Sequence, residues 1–146
     1  MVGIGIDQIS ITRRLPIDGG ALGHVLARLR AETCGTALRW SLGDRGSCEF
    51  DLRFDRQVLD RNGVVLGYES TASLWDPAGC SPATISVRLV GCDDHESQLE
   101  FHPAEDIGVW WTAHLAAYLD LAHAALEELA QELLFQAARV RDELSG

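Results

Sequence analysis

A chain of 146 residues, 47% of them hydrophobic, is long enough to bury one ordinary core, and no shift in composition marks a second domain, so residues 1–146 are read as a single domain. All twelve basic residues are arginine against 22 acids; a net charge of −10 repels a phosphate backbone except where arginines cluster, and the pairs Arg13–Arg14 and Arg28–Arg30 are too little for a nucleic-acid face. The absence of lysine excludes Schiff-base chemistry on a lysine side chain.

In chain order, Ile9 to Leu15 alternates Ile9 and Ile11 with Ser10, Thr12 and arginines, a period of two that predicts a first strand. After PIDGG, Leu22, Val25, Leu26 and Leu29 recur at helical spacing. They predict an amphipathic helix from Ala21 to about Glu32, capped from upstream by Asp18 and closed by Gly35. In TALRWSLG, Leu38, Trp40 and Leu42 share a face. In SCEFDLRFD, Cys48, Phe50, Leu52 and Phe54 share one face and Glu49, Asp51, Arg53 and Asp55 the other, which requires an antiparallel sheet with one wet side. The row Glu49, Asp51 and Asp55 is read as that wet side rather than as paired catalytic carboxylates. Asn62-Gly63 suits a tight hairpin, since both residues tolerate positive φ. VVLGYESTASLW then places Leu66, Tyr68, Ser70, Ala72 and Leu74 on one side, ATISVRLV does so with Ile85, Val87 and Leu89, and SQLEFHP continues the inner row with Ser97, Leu99 and Phe101. Past Pro103, Glu105 and Asp106 suit a helix N-terminus. A helix from about Ile107 to Arg141 carries Trp111, Leu115, Tyr118, Leu119, Ala122, Leu126, Leu129, Leu133 and Val140 in one arc, with Asp120, Glu127 and Gln131 opposite. At 1.5 Å per residue it is on the order of 50 Å long, more than a sheet of this size covers, so its end overhangs or packs on something else.

This order of elements is joined by two local patterns. In ISITRRLPIDGGALGHVLARL…ALRW a strand ends in a proline bend, a helix follows, and a tryptophan stands on the next strand. ISVRLVGCDDHESQLEFHP followed by WWTAHLAAYLDL reads as a last hairpin and the tryptophan-leucine-tyrosine start of a final helix. Over essentially the whole chain this resembles the helix-grip fold of the START-like, or SRPBCC, superfamily, which takes in pollen-allergen-like, polyketide-cyclase-like and lipid-transfer domains. The resemblance implies an α+β fold: a curved antiparallel sheet of six or seven strands wrapped around a long C-terminal helix, with a short helix after the first strand. It implies a cavity and no particular reaction, because no cyclase-type catalytic set can be placed residue by residue. The doubled tryptophan and the length of the last helix depart from the family's pattern.

In such a fold the ligand-binding wall would be Trp111, His114, Leu115 and Tyr118 on the helix, facing Trp40, Phe50, Tyr68, Ser70, Ala72, Val87 and Phe101. Alternatively, these side chains fill a solid core. Tyr68 and Ser70 favour a cavity, since a solid core prefers aliphatics there. His114 lies four residues before Tyr118, hence on the same flank of a continuous helix, and the pair is the catalytic candidate, able to hold a carbonyl or move a proton. His123 falls on the polar side, while His24, His95 and His102 are scattered; no metal site and no cofactor are expected. The lone G-x-G at Gly3 is too little for a nucleotide loop, and Ser41, Ser47 and Ser70 lack a nucleophile elbow.

Three functions follow from these readings. One is carriage, sequestration or sensing of a small apolar or aromatic ligand in the cavity. Another is a polyketide cyclase-, dehydratase- or hydrolase-like enzyme using the same cavity. The third is an interaction protein, a homodimer through the helix end around Leu126, Leu129, Leu133 and Val140, unless the helix near Leu26 covers those residues within the chain. Cys34, Cys48, Cys80 and Cys92 show no metal-ligand spacing and are expected to be free and mostly buried. Asp7 stands where a secretion signal would be most apolar, and Asp120, Glu127 and Glu128 interrupt the one long apolar segment, so a cytoplasmic chain with no membrane span is expected.

Overall fold

The alternating runs pair into one curved antiparallel sheet of seven strands, to which two helical segments and a short earlier helix are added, in a computed structural model that describes residues 9–35, 37–93, 95–103 and 107–145. The strands are β1 (Ile11–Leu15), β2 (Ala37–Ser41), β3 (Ser47–Asp51), β4 (Arg56–Leu59), β5 (Val65–Trp75), β6 (Pro82–Gly91) and β7 (Ser97–Pro103). Their order in the sheet is β1-β7-β6-β5-β3-β2, with β4 beside β5. Helix α1 (Leu22–Thr33) follows β1, and α2 (Val109–Ala113) and α3 (Leu115–Ser145) end the chain. The architecture is the α+β, helix-grip-like one expected. Gly3, Asp7, Glu105 and Asp106 lie outside the described residues.

The inner rows are those read from the alternation. Cys48, Phe50, Leu52 and Phe54 are buried, as are Ala83, Ile85, Val87 and Leu89 on β6 and Leu99 and Phe101 on β7. The ladder itself departs from expectation at Leu52–Asp55, where one strand becomes two. The Asp51 carboxylate accepts hydrogen bonds from the Arg53 amide (2.9 Å) and guanidinium, and Phe54 takes φ +46°, so a local turn replaces strand pairing while the side-chain alternation survives. The arginine beside Asp51 lowers its carboxyl pKa. The β4–β5 hairpin is also wider than a two-residue turn: Asp60 and Val64 close it, and Gly63 alone takes positive φ (+79°).

At α1, Leu22, Val25, Leu26 and Leu29 face the core as expected, and Asp18 accepts from the Gly20 amide at 2.8 Å, capping a 3-10 turn that leads into the helix. The left-handed residue that closes α1 is Cys34, φ +53°, rather than Gly35. The larger correction is in the C-terminal helix. It is not continuous from 107 to 141: His114, at φ −129° and ψ 51°, separates α2 from α3. The arc from Leu126 through Leu129 and Leu133 to Val140 is buried within the chain, because α1 packs along α3 and is tied to it by Arg28–Glu143 (2.8 Å) and Arg139–Glu32. The overhang that motivated a dimer seam is therefore covered from inside. Arg13–Glu127 (2.7 Å) and Arg45–Asp120 (3.0 Å) fasten α3 to the sheet side.

Candidate functional site

The concave face brings most of the expected wall together and packs it shut. Phe50 lies across from Ala72 and Ser70 from Val87, which in turn pairs with Phe101. The rings of Trp40 and Phe50 meet edge-on at 5.5 Å, Phe50 and Phe101 at 5.6 Å. Phe50, Phe101 and Tyr118 are each 0% exposed, which leaves no room for a water molecule against them. The open cavity expected here is filled by its own lining. Ser70 is explained by the break between β3 and β4: its hydroxyl donates to the Asp51 carbonyl (2.7 Å), just past the last β3–β5 pair, Phe50–Ala72.

The same inner row opens at its other end. Beyond Ser70, Tyr68 meets Gly23 of α1 while Leu66 is exposed, and a groove of about 440 Å³ lies between Gly19 and Gly20 of the 3-10 turn with Gly23 and His24 of α1 on one side and Val65, Leu66, Gly67 and Tyr68 on the other. A Cβ on Gly23 would sit 3.1 Å from the Tyr68 hydroxyl, so the helix approaches the phenol because that residue has no side chain. Val65 and Leu66, with Leu59 and Val64 on the adjoining hairpin, are exposed aliphatics. Among the described residues no carboxylate and no arginine lines the groove; His24 and Tyr68 are its titratable groups there.

At the opposite end, α2 closes the face. Trp111 is buried, its indole N–H donates to the Ser81 carbonyl at 2.7 Å, and its ring stands edge-on to Tyr118 at 6.0 Å. The Tyr118 hydroxyl has no hydrogen-bond partner among the described residues, and burial pushes the phenol up to about 12. His114 does not join it. Its Nδ1–H donates to the Trp110 carbonyl at 2.7 Å, its ring stacks on Trp110 at 4.2 Å, and it is exposed. The acid–base pairing expected of His114 and Tyr118 fails because the helix breaks at the first of them, turning it outward. Leu115 is half-buried beside the core.

Of the other candidates, His24, His95 and His123 are exposed. His102 lies on the outer face between Ser10 (Nδ1 to Oγ, 3.0 Å) and Glu100 (Nε2–H to Oε1, 2.8 Å), in a cross-strand polar ladder with Arg88. Glu49 pairs with Arg39 and Asp51 with Arg53, as a wet face requires. The cysteines are free, but three of them are exposed; Cys48 alone is buried, its thiol pushed up to about 12. They sit at turns and a helix end, where little covers them. Among the described residues no cluster of metal-ligating side chains occurs, and no helix is long and apolar enough to cross a membrane. No protein-family model matches the chain, and no curated protein matches it.

Sequence reasoning identified Tyr68 but not the rest of the groove. Its signal is the run Val64-Val65-Leu66, three consecutive apolar residues at a hairpin whose other side must be wet, together with Gly19, Gly20 and Gly23. The glycines were readable only as capping and turn residues, because the partner they face is decided by the fold.

Proposed function

We propose that this chain is a START-like binding protein that carries, sequesters or senses a small neutral apolar or aromatic molecule, held in the groove where the concave face emerges under α1. The carrying observation is that groove: its volume falls within the roughly 300–1,000 Å³ typical of small-molecule sites, and its lining joins the Tyr68 ring and the exposed aliphatics Val65 and Leu66 to the backbone of four glycines and His24. Binding is favoured over turnover because His114 and Tyr118 face different surroundings and, among the described residues, no charged pair borders the groove. The test titrates the protein with N-phenyl-1-naphthylamine, a neutral fluorescent apolar probe. Val65→Glu and Leu66→Glu, at exposed positions, should fold normally and weaken binding by about tenfold or more through the cost of desolvating a carboxylate at the lip. Unchanged affinity in both variants, or no uptake by the parent chain, overturns the groove as the site.

A further inference from the structure

We infer that the space occupied by the Trp111 indole is a second binding chamber, for a neutral bicyclic aromatic molecule bearing one hydrogen-bond donor and one acceptor, and that Trp111 leaves it with α2 when the molecule enters. The chamber lies at the end of the concave face opposite the groove and does not depend on the groove's role.

The first support is mechanical. α2 is five residues long and is bounded by Gly108, at φ +89°, and by the non-helical His114. Changes at two positions therefore move it as a unit, as hinges at element ends do. Val109 is 89% exposed, Thr112 and Ala113 are exposed, and half-buried Trp110 stacks on His114. Trp111 is the residue of α2 that enters the core, with one hydrogen bond, to Ser81.

The second support is chemical. With the indole withdrawn, the vacated space is bounded by the Ser81 carbonyl, which needs a donor, and by Tyr118, whose ring stands 6.0 Å from the indole and whose unpartnered hydroxyl needs an acceptor that Trp111 does not supply. A buried hydroxyl left unpaired costs roughly 1–3 kcal/mol, and at 0% exposure no water reaches this one. A molecule with the shape of an indole and a carbonyl on it satisfies both groups, one hydrogen bond more than Trp111 makes. The molecule is neutral. Asp76 is the one charged side chain among the buried described residues, and it accepts from the Ser81 amide at 2.7 Å, so a carboxylate entering there meets like charge and no cation. Trp111 thus acts as an internal stand-in for the ligand, and the opening of α2 lowers the apparent affinity by the fraction of chains that are open.

The experiment measures binding of 3-acetylindole, 3-ethylindole and indole-3-carboxylate to the full chain by calorimetry, with hydrogen exchange of the α2 amides. The expected order is acetyl over ethyl by about fivefold, the value of one neutral hydrogen bond, with the carboxylate weakest and α2 exchange faster in the complex. Tyr118→Phe, which keeps the ring, should melt no lower than the parent and abolish the acetyl preference. Equal affinity for the ketone and the hydrocarbon, a preference that survives Tyr118→Phe, unchanged α2 exchange, or no binding to the parent chain overturns the chamber. Loss of 3-acetylindole binding in Val65→Glu also overturns it, placing the molecule in the groove and leaving the proposed function standing; failure of the naphthylamine test alone leaves the chamber untouched.

Discussion

The two ends of the concave face share one set of strands and differ in what covers them. At the α1 end the facing residues are Gly19 and Gly20 of the 3-10 turn and Gly23 of α1, and space remains beside Tyr68. Under α2 the covering residue is Trp111, and no space remains above Tyr118. The ring left open or covered belongs to β5 at one end (Tyr68) and to α3 at the other (Tyr118), so whether this face holds a hole is decided by the volume of the element laid across it. The ends also differ in polar accounts. The open end settles its own amides, with Asp18 on the Gly20 amide, whereas the closed end carries an unpaired phenol. Openness and unmet hydrogen-bonding capacity have separated to opposite ends of one face.

The sharpest way to break this comparison is to remove the plug. Trp111→Ala should cost about 3–5 kcal/mol in urea unfolding, the loss expected for deleting a buried aromatic, whereas Val109→Ala on the same helix should stay within about 0.5 kcal/mol. A loss below about 1 kcal/mol for Trp111→Ala would show that the closed end is not sealed by that ring.

Alkaline titration comes next. Burial holds Cys48 and Tyr118 un-ionised, with pKa values raised from 9.0 and 10.0 respectively, each to about 12. In the unfolded chain these groups ionise first, so the unfolded state binds fewer protons above pH 9. The stability they contribute is fully present below about pH 9 and is lost as pH rises toward 12. The melting temperature should fall across that window; Cys48→Ala should flatten the earlier part of the fall and Tyr118→Phe the later part. A curve unaltered by Tyr118→Phe would mean the phenol is solvated.

The smallest expected effect tests the open end. Gly23→Ala gains helix propensity of roughly 1 kcal/mol but brings a Cβ to 3.1 Å from the Tyr68 hydroxyl. It should be near neutral alone and stabilise by about 0.5–1 kcal/mol in a Tyr68→Phe background, where the contact is gone. Equal effects in both backgrounds would show that Tyr68 does not rest on α1.

Much of the fold was legible because side-chain direction follows from local geometry. Phe50 and Phe101 point inward by alternation on a strand, Leu26 and Leu133 by helical spacing, and Trp111 faces the core while Trp110, one residue earlier, is only half-buried. The site was less legible. Of the eleven wall residues, Tyr68 alone lines the groove, because the others are buried by partners from other elements or, like Trp40, His114 and Leu115, lie at or outside the rim of the core.

By itself the sequence determined most of the strands, the helix after the first of them, their inward faces and the α+β class, since each depends on a period of two or 3.6 carried along the chain, but not β4 or the split of the last helix. Only the tertiary structure decided three things: that the helix breaks at His114, that α1 covers the arc from Leu126 to Val140, and that space is left at Tyr68 and not at Tyr118. Periodicity fixes where a side chain points relative to its own axis. Whether it meets an indole or a glycine depends on residues far away in the chain, and that opposing volume is what makes a wall into a core or a groove.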